Sequence, residues 1–277
     1  MKVGFVGFGE VASELSRGLI DEGVNVLTCV DGRSSKTQKL AKQSGAKLCL
    51  RNRDVAEEAD ILISSVTPEM AISVAYELGK LSKGIYVDIN NVSPETVKKS
   101  LSLVENHKVV DAAIIGSVHK KGHKVQIIAS GNSAEDFSKL NDFGFNIKIV
   151  GSEIGQASAI KMLRSSYTKG VSMILWETVF AAYKLGLDKE VLNIIAETEG
   201  PNFEESAKSR LISSAFHSKR RSEEIIEVKD FLSQINESLM VQSTENIFEL
   251  IFKRLGKLDE RPANYQEIFK LFDLENK

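Results

Sequence analysis

Hydrophobic residues fall in short blocks through the first half of the chain and at helical spacing through the second. Strand signals occur at Val3–Val6, Val24–Val30, Asp60–Val66, Ile85–Ile89, Val109–Ile115, Val125–Ala129 and Asn146–Val150. Helical periodicity separates several of them, at Glu10–Glu22, Pro68–Lys80 and Pro94–Val104. The last two open with proline, which a helix tolerates in its first turn. Alternation of this kind predicts an α/β domain whose sheet is mostly parallel and covered on both faces. After Gly151 the strand signals stop. Ile154–Leu185 carries one long apolar helix pattern, with Gly155 and Gly170 as weak points and Gly186 in the place of a C-cap. Shorter helices are predicted from Lys189, Phe203, Ser222, Thr244 and Tyr265. The boundary therefore falls near Gly151, with an α/β domain over 1–151 and an all-α domain over 152–277.

Charge and composition narrow the classes. Of the 277 residues 27% are charged, yet the formal net charge is only -2, which argues against nucleic-acid binding through a strong positive field. No apolar run approaches the roughly 18 to 20 residues that span a bilayer, so no membrane partner is expected. The opening Met1-Lys2-Val3-Gly4-Phe5 runs straight into a strand and lacks the apolar region of a signal peptide. A cytoplasmic chain is the expectation. Cys29 and Cys49 both lie in apolar stretches and are read as buried free thiols.

The chemistry begins at Gly7-Phe8-Gly9-Glu10-Val11-Ala12, which fits G-x-G-x-x-G/A directly after a strand and at the opening of a helix. In that context the first glycine permits a tight turn, the second leaves room for a pyrophosphate, and Ala12 lets helix and strand pack closely. The ligand's charge then meets the unpaired amides of the helix N-terminus. The first domain is thus expected to be Rossmann-type and to bind a nicotinamide dinucleotide. At the end of the second strand, Asp31 would hold the ribose hydroxyls of NAD, whereas Arg33, Ser34 and Lys36 form an anion-binding cluster suited to the 2′-phosphate of NADP. NADP is favoured and NAD stays open; Ser34 or Ser35 also suits a helix N-cap. Two further loops follow strand ends, where open α/β sheets bind ligands. Val66 and Thr67 lie in one. Asn90 lies in the other and is expected on the nicotinamide side, while Thr67 and Ser93 are placed to cap the helices that follow.

Several stretches in this order resemble the β-hydroxyacid dehydrogenase superfamily, which includes 3-hydroxyisobutyrate and 6-phosphogluconate dehydrogenases. The opening Gly-Phe-Gly-Glu-Val-Ala-Ser, Ile160-Lys161-Met162-Leu163-Arg164-Ser165, and Arg220-Arg221 followed by Glu224-Ile225-Ile226-Glu227-Val228 look like a less characterised branch with a distinctive helical C-terminal domain. The resemblance covers essentially the whole chain. Where the superfamily has a substrate motif close to D-x-P-V-S-G-G, this chain has Asp111-Ala112-Ala113-Ile114-Ile115-Gly116-Ser117. Gly116 matches a glycine, Ile115 stands in place of the usual serine, and Ser117 replaces the second glycine, which implies an altered substrate pocket.

The superfamily's catalytic lysine follows a glycine near the start of a long helix, and Gly155-Gln156-Ala157-Ser158-Ala159-Ile160-Lys161 fits. By resemblance, Lys161 moves the proton between substrate and solvent, as base in oxidation and acid in reduction. Its apolar flanks Ile160, Met162 and Leu163 suggest a partly buried setting. An asparagine that touches substrate four residues beyond the family's lysine is Ser165 here, one turn along the same face. Arg164 beside it is suited to bind a carboxylate or phosphate. Lys219-Arg220-Arg221 and Lys229-Asp230 form a second basic region, read equally as a solvated face or a substrate contact. His119 and His123 have i, i+4 spacing, but with lysines and a glycine around them no metal site is expected.

The chain is accordingly expected to be an NADP-preferring oxidoreductase acting on a small hydroxy or keto acid, and a homodimer through its helical half. Two other readings stay open: a cofactor-binding sensor or scaffold without turnover, and an imine reductase on the same fold.

Overall fold

The computed structural model of the chain describes residues 1–274. They form two compact units, divided between Lys161 and Met162. The first unit contains an eight-stranded sheet of β1 (Lys2–Val6), β2 (Asn25–Thr28), β3 (Lys47–Leu48), β4 (Ile61–Ser64), β5 (Ile85–Asp88), β6 (Val109–Ile115), β7 (Gln126–Ser130) and β8 (Asn146–Gly151), in the order β3-β2-β1-β4-β5-β6-β7-β8. Its helices are α1 (Glu10–Asp21), α2 (Ser35–Ser44), α3 (Asn52–Glu58), α4 (Ala71–Leu78), α5 (Pro94–Leu101), α6 (Val118–Lys121) and α7 (Ala134–Ser138). The long α8 (Gln156–Leu185) begins there and continues into the second unit, followed by α9 (Asp188–Glu199), α10 (Phe203–Phe216), α11 (Ser218–Ser233), α12 (Leu239–Leu255) and α13 (Tyr265–Leu274).

Alternating residues of the strands feed cores on opposite faces of the sheet. Val3 and Phe5 of β1 and Ile61 and Ile63 of β4 join Leu15 and Leu19 of α1 in one cluster. Val6 and Leu62 join Val55, Leu78 and Val97, from α3, α4 and α5, in the other. In the second unit Trp176 stands edge-on to Phe269 and Phe272, at centroid distances of 5.1 and 5.4 Å, and Phe180 meets the same two rings at 5.2 and 5.0 Å. These aromatic pairs anchor α8 to α13.

Every neighbouring pair is parallel except β6 and β7, so β7 and β8 run opposite to the other six strands. Residues 116–125 join β6 to β7, fewer than the dozen or more that a parallel crossover needs. One register row crosses five strands of the sheet: Val6 pairs with Ser64, Ser64 with Asp88, Asp88 with Asp111, and Asp111 with Ser130. Apart from Val6 the row is polar, and all of it is buried.

Several local expectations change. The helices expected from Ser222 and Thr244 begin earlier, at Ser218 and Leu239, because both residues are buried mid-helix. α8 passes through Gly170 without a break, and Gly155 lies just ahead of it. The segment from Pro68 opens as a 3-10 turn before α4. α2 has few apolar positions, so periodicity does not announce it. Ser93 caps α5 by accepting from the Thr96 amide at 3.2 Å, whereas the Thr67 side chain caps nothing. Both cysteines are free, but only Cys29 is buried; Cys49 is half-exposed. Among the described residues, no helix is long and apolar enough to cross a membrane.

Candidate functional site

A cleft of ≈ 570 Å³ opens where β1 turns into α1. The two glycines of the turn stand there for different reasons. Gly7 has φ +80, and a Cβ on it would lie 2.3 Å from the Ser65 carbonyl oxygen, so the backbone itself requires glycine. Gly9 is the N-cap of α1 in ordinary extended conformation, φ -82 and ψ -164. A Cβ there would meet nothing within 4 Å. Neither backbone nor packing calls for glycine at Gly9; its missing side chain leaves the start of α1 open to the cleft. Free amides and the positive end of the helix dipole face an incoming anion at such a helix start.

Gly7, Phe8, Gly9, Glu10, Val11, Arg33, Val66 and Thr67 line the cleft, together with Lys36, Thr37, Leu40, Ser65, Met70 and Val74. The Phe8 ring is buried and stands edge-on to Phe5. Three other residues singled out in the sequence are not among the lining. Asp31 is exposed in the turn closed by the Arg33 amide on the Val30 carbonyl. The Ser34 hydroxyl caps α2, accepting from the Thr37 amide at 3.3 Å. Asn90 is buried, and its side chain joins two strand ends. Its Oδ1 accepts from the Val66 amide at 2.7 Å, and its Nδ2 donates to Ser64 Oγ at 3.1 Å. It thereby shapes the Val66 loop from behind.

Glu10 places a carboxylate at the mouth of this anion-accepting cleft. Its Oε1 accepts from Lys36 Nζ at 2.8 Å, and its Oε2 lies 3.1 Å from His119 Nε2. The hydrogen bond from Lys36, then that from His119, holds the Glu10 carboxyl below the usual range. His119 belongs to α6, the single turn of helix after Gly116 and Ser117, so Glu10 ties the Lys36 side of the cleft to that loop. Both loop residues are exposed, and Gly116 has φ +123, a conformation suited to glycine. His123 is elsewhere: its ring fills the space left by Gly18 and Gly144. Among the described residues no three His, Cys, Asp or Glu side chains are grouped so that they could hold a metal ion.

The start of α8 is held by a buried acid. Asp111 Oδ2 accepts from the Gly155 and Ser158 amides, each at 3.0 Å, and from Ser130 Oγ at 3.3 Å; its Oδ1 accepts from Ser158 Oγ at 2.7 Å. Ser130 Oγ in turn accepts from the Ala157 amide at 3.1 Å. A carboxylate on β6 and a hydroxyl on β7 thus supply the capping oxygens that α8 needs at its N-terminus. Burial pushes the Asp111 carboxyl up, opposed by the hydrogen bonds from Ser158 and Gly155. Lys161 follows one turn later and is half-buried, while its neighbours Ile160 and Leu163 are 40% and 50% exposed. Sequence reasoning placed Asp111 only as the first letter of a substrate motif. Its capping partners lie 44 and 47 residues away.

In the second unit, Arg164 is exposed and its carbonyl accepts from the Thr168 hydroxyl at 3.0 Å. Ser165 Oγ accepts from Lys169 Nζ. Lys169 is buried and pairs with Glu224 Oε2 at 3.1 Å. Burial pulls its ammonium below the ordinary value, and the charge of Glu224 opposes the shift. Lys229 pairs with Glu245 Oε2 at 2.5 Å. Lys169 escaped the sequence reading because only the fold brings α11 against it.

Residues 2–92 match the family described as NADP oxidoreductase coenzyme F420-dependent, and residues 182–251 match the domain of unknown function DUF1932. The chain is 47% identical over 252 residues to an uncharacterized 28.5 kDa protein of Methanothermus fervidus, spanning 91% of this chain and 99% of that one. It is 26% identical over 221 residues to the 2-(hydroxymethyl)glutarate dehydrogenase of Eubacterium barkeri, spanning 75% and 72% of the two chains. A solved structure superposes with a TM-score of 0.84 at 49% identity, covering 91% of this chain and 97% of that one. It is a conserved protein of unknown function described as structurally similar to 3-hydroxyacid dehydrogenases.

Proposed function

For a chain that belongs to the β-hydroxyacid dehydrogenase superfamily, we propose an NADP-preferring oxidoreductase that acts on a small hydroxy or keto acid. Residues 1–151 serve as the nucleotide-binding domain, and 152–277 as the helical domain for substrate and dimerisation. In this reading the protein is a cytoplasmic homodimer. The observation that carries the proposal is Gly9, a glycine that the folded chain itself does not need, at a helix N-terminus facing a cleft lined by Arg33 and Lys36. The pyrophosphate would meet the first amides of α1. Arg33 and Lys36 would take the 2′-phosphate, as cations suited to a doubly charged oxyanion.

Bound NADP supplies the hydride acceptor. Lys161 accepts the hydroxyl proton in oxidation and returns it in reduction. The cap on Asp111 fixes where α8 begins, and therefore where Lys161 stands. By the family resemblance Gly116 and Ser117 are substrate contacts, with the open backbone at Gly116 giving close approach, and so, on α8, are Arg164 and Ser165. The name of the Eubacterium barkeri relative, a dehydrogenase of a hydroxy acid, supports this substrate class.

Substitution at Gly9 tests the cofactor. A valine fits the folded chain, because the backbone is in an allowed region and a Cβ has free space. It would stand where the pyrophosphate must lie. Gly9→Val is expected to leave the melting temperature within a few degrees of wild type and to weaken NADPH binding, read by nicotinamide fluorescence, by at least about tenfold. Unchanged binding in a folded variant would sink the proposed pose. A screen of hydroxy acids, keto acids and imines for a change in nicotinamide absorbance then separates dehydrogenase, imine reductase and silent binder.

A further inference from the structure

We propose that the helical unit carries an oxyanion site of its own, built by Arg221, Arg220 and Lys169 around Glu224, which receives a second acidic group of the substrate. This rests on the dehydrogenase reading for the word substrate, but the site stands on its own geometry. Lys169, on α8, has a side chain only 11% exposed and is paired with Glu224 Oε2 at 3.1 Å. The other oxygen of Glu224 faces Arg220 Nη1 at 3.5 Å. One carboxylate therefore serves two cations. Arg221, the next residue on α11, donates from Nη1 to Ser214 Oγ at 2.9 Å and from Nη2 to Ser213 Oγ at 2.7 Å. Both partners are neutral. Among the described residues no carboxylate lies within 4.0 Å of Arg221.

Lys169 and Arg220 share the Glu224 carboxylate while Arg221 contacts only serine hydroxyls, and Lys169 and Arg221 are withdrawn from water. A buried charge without a counter-charge is costly, and its usual partner is an anion. A guanidinium has five N–H groups in a rigid fork. The two serines hold the Arg221 fork in place and leave donors over, the arrangement that bidentate binding of a carboxylate or phosphate requires. The surrounding field has the same sign. Burial depresses the His217 imidazole, and the charges of Arg220, Arg221 and Arg261 add to that effect, with Glu224 the opposing charge. Burial brings Arg221 down to about 10, opposed by Glu224, while Arg220, Arg210 and Arg261 act in the same direction as burial. Ser165 joins the cluster through Lys169. In the superfamily resemblance this is the position of the asparagine that touches substrate. A dicarboxylic hydroxy acid or a phosphorylated one has the charge that this cluster lacks.

The test needs neither turnover nor cofactor. The full-length Arg33→Gln chain, which lacks the arginine of the nucleotide cleft, is titrated calorimetrically with inorganic phosphate and with glutarate at constant ionic strength. The same chain carrying Arg220→Gln or Arg221→Gln is titrated in parallel, and each melting temperature is recorded. At least one probe is expected to bind, with affinity falling about tenfold or more in Arg221→Gln and severalfold in Arg220→Gln. Preference for phosphate or for glutarate identifies the acidic group. The Arg220 side chain is 64% exposed, so its removal leaves the fold intact and decides the matter if Arg221→Gln does not fold. Absence of heat with both probes, or equal affinity in the parent and the folded variants, overturns the site. Loss of NADPH binding in wild type would instead strike at the dehydrogenase reading and leave this result standing.

Discussion

Asp111 is wholly buried in the first unit and accepts hydrogen bonds from two backbone amides and two serine hydroxyls. Lys169 and Arg221 are withdrawn from water in the second unit, where Glu224 is the acid that pairs with Lys169 and with the exposed Arg220. The acid is satisfied by fixed, neutral, local donors. The bases are not satisfied to the same degree by the chain around them. A buried charge whose partners all belong to the scaffold holds the scaffold together; one left with spare capacity is available to a ligand. On that division Asp111 and Asp88 belong to architecture, and Lys169 and Arg221 are the groups open to a ligand.

The strongest way to break this division is at α8. Lys161→Ala is expected to lower kcat by roughly 10²- to 10⁴-fold, the range for loss of a general acid or base, with NADPH affinity and melting temperature near wild type. Steady-state kinetics on a confirmed substrate decides it, and full turnover in the variant would end the assignment. Asp111→Ala is expected to behave in the opposite manner, because it strips the cap from α8 and leaves buried donors unpaired. The loss should be about 3 kcal/mol in denaturant unfolding. A loss within ~0.5 kcal/mol, the range of an ordinary surface substitution, would show that the cap is dispensable.

Asp88 sharpens the comparison through pH. Burial raises its carboxyl to about 6 from an ordinary 3.8, although the Asn90 amide and Ser100 hydroxyl donate to it. The folded chain then holds this proton more tightly than the unfolded chain. Its contribution to stability is present below pH 4, declines as pH rises from about 4 to about 6, and is level above that. The total decline is at most about 3 kcal/mol. Unfolding of wild type and Asp88→Asn at a series of pH values should show that decline in the difference between the two curves, and parallel curves would show that Asp88 does not titrate in this range. The smallest effect is at the cleft mouth. Glu10→Gln removes a half-exposed carboxylate that competes for Lys36, and should tighten NADP binding about two- to fivefold, with less effect on NAD.

Where apolar spacing was strong, the architecture was readable from sequence. The strands from Val3 to Asn146 follow from it except β3, whose two residues Lys47 and Leu48 make no apolar run, as does the long helix ending at Leu185, and the Gly7–Gly9 turn marks the cleft in advance. The direction of β7 is different in kind, because an apolar run has no polarity and only the short 116–125 connection decides it. Charge pairing was least legible. The backbone amides that donate to Asp111 lie more than forty residues away, and Lys169 meets its partner only when α11 packs on α8. Asn90 sits at the expected strand end, yet its amide turns toward Ser64, a residue one strand away in register with Asp88.

The two glycines of the turn are under unequal obligation. Gly7 cannot change without moving the strand beside it, so every descendant that keeps the fold must keep it. Gly9 answers only to whatever lies in the cleft. A lineage that ceased to use the nucleotide would be free to drift at the second position and not at the first. On the proposed pose the pair works as a record: a side chain at position 9 beside an intact glycine at position 7 would mark a chain that has retained its shape and given up its cofactor.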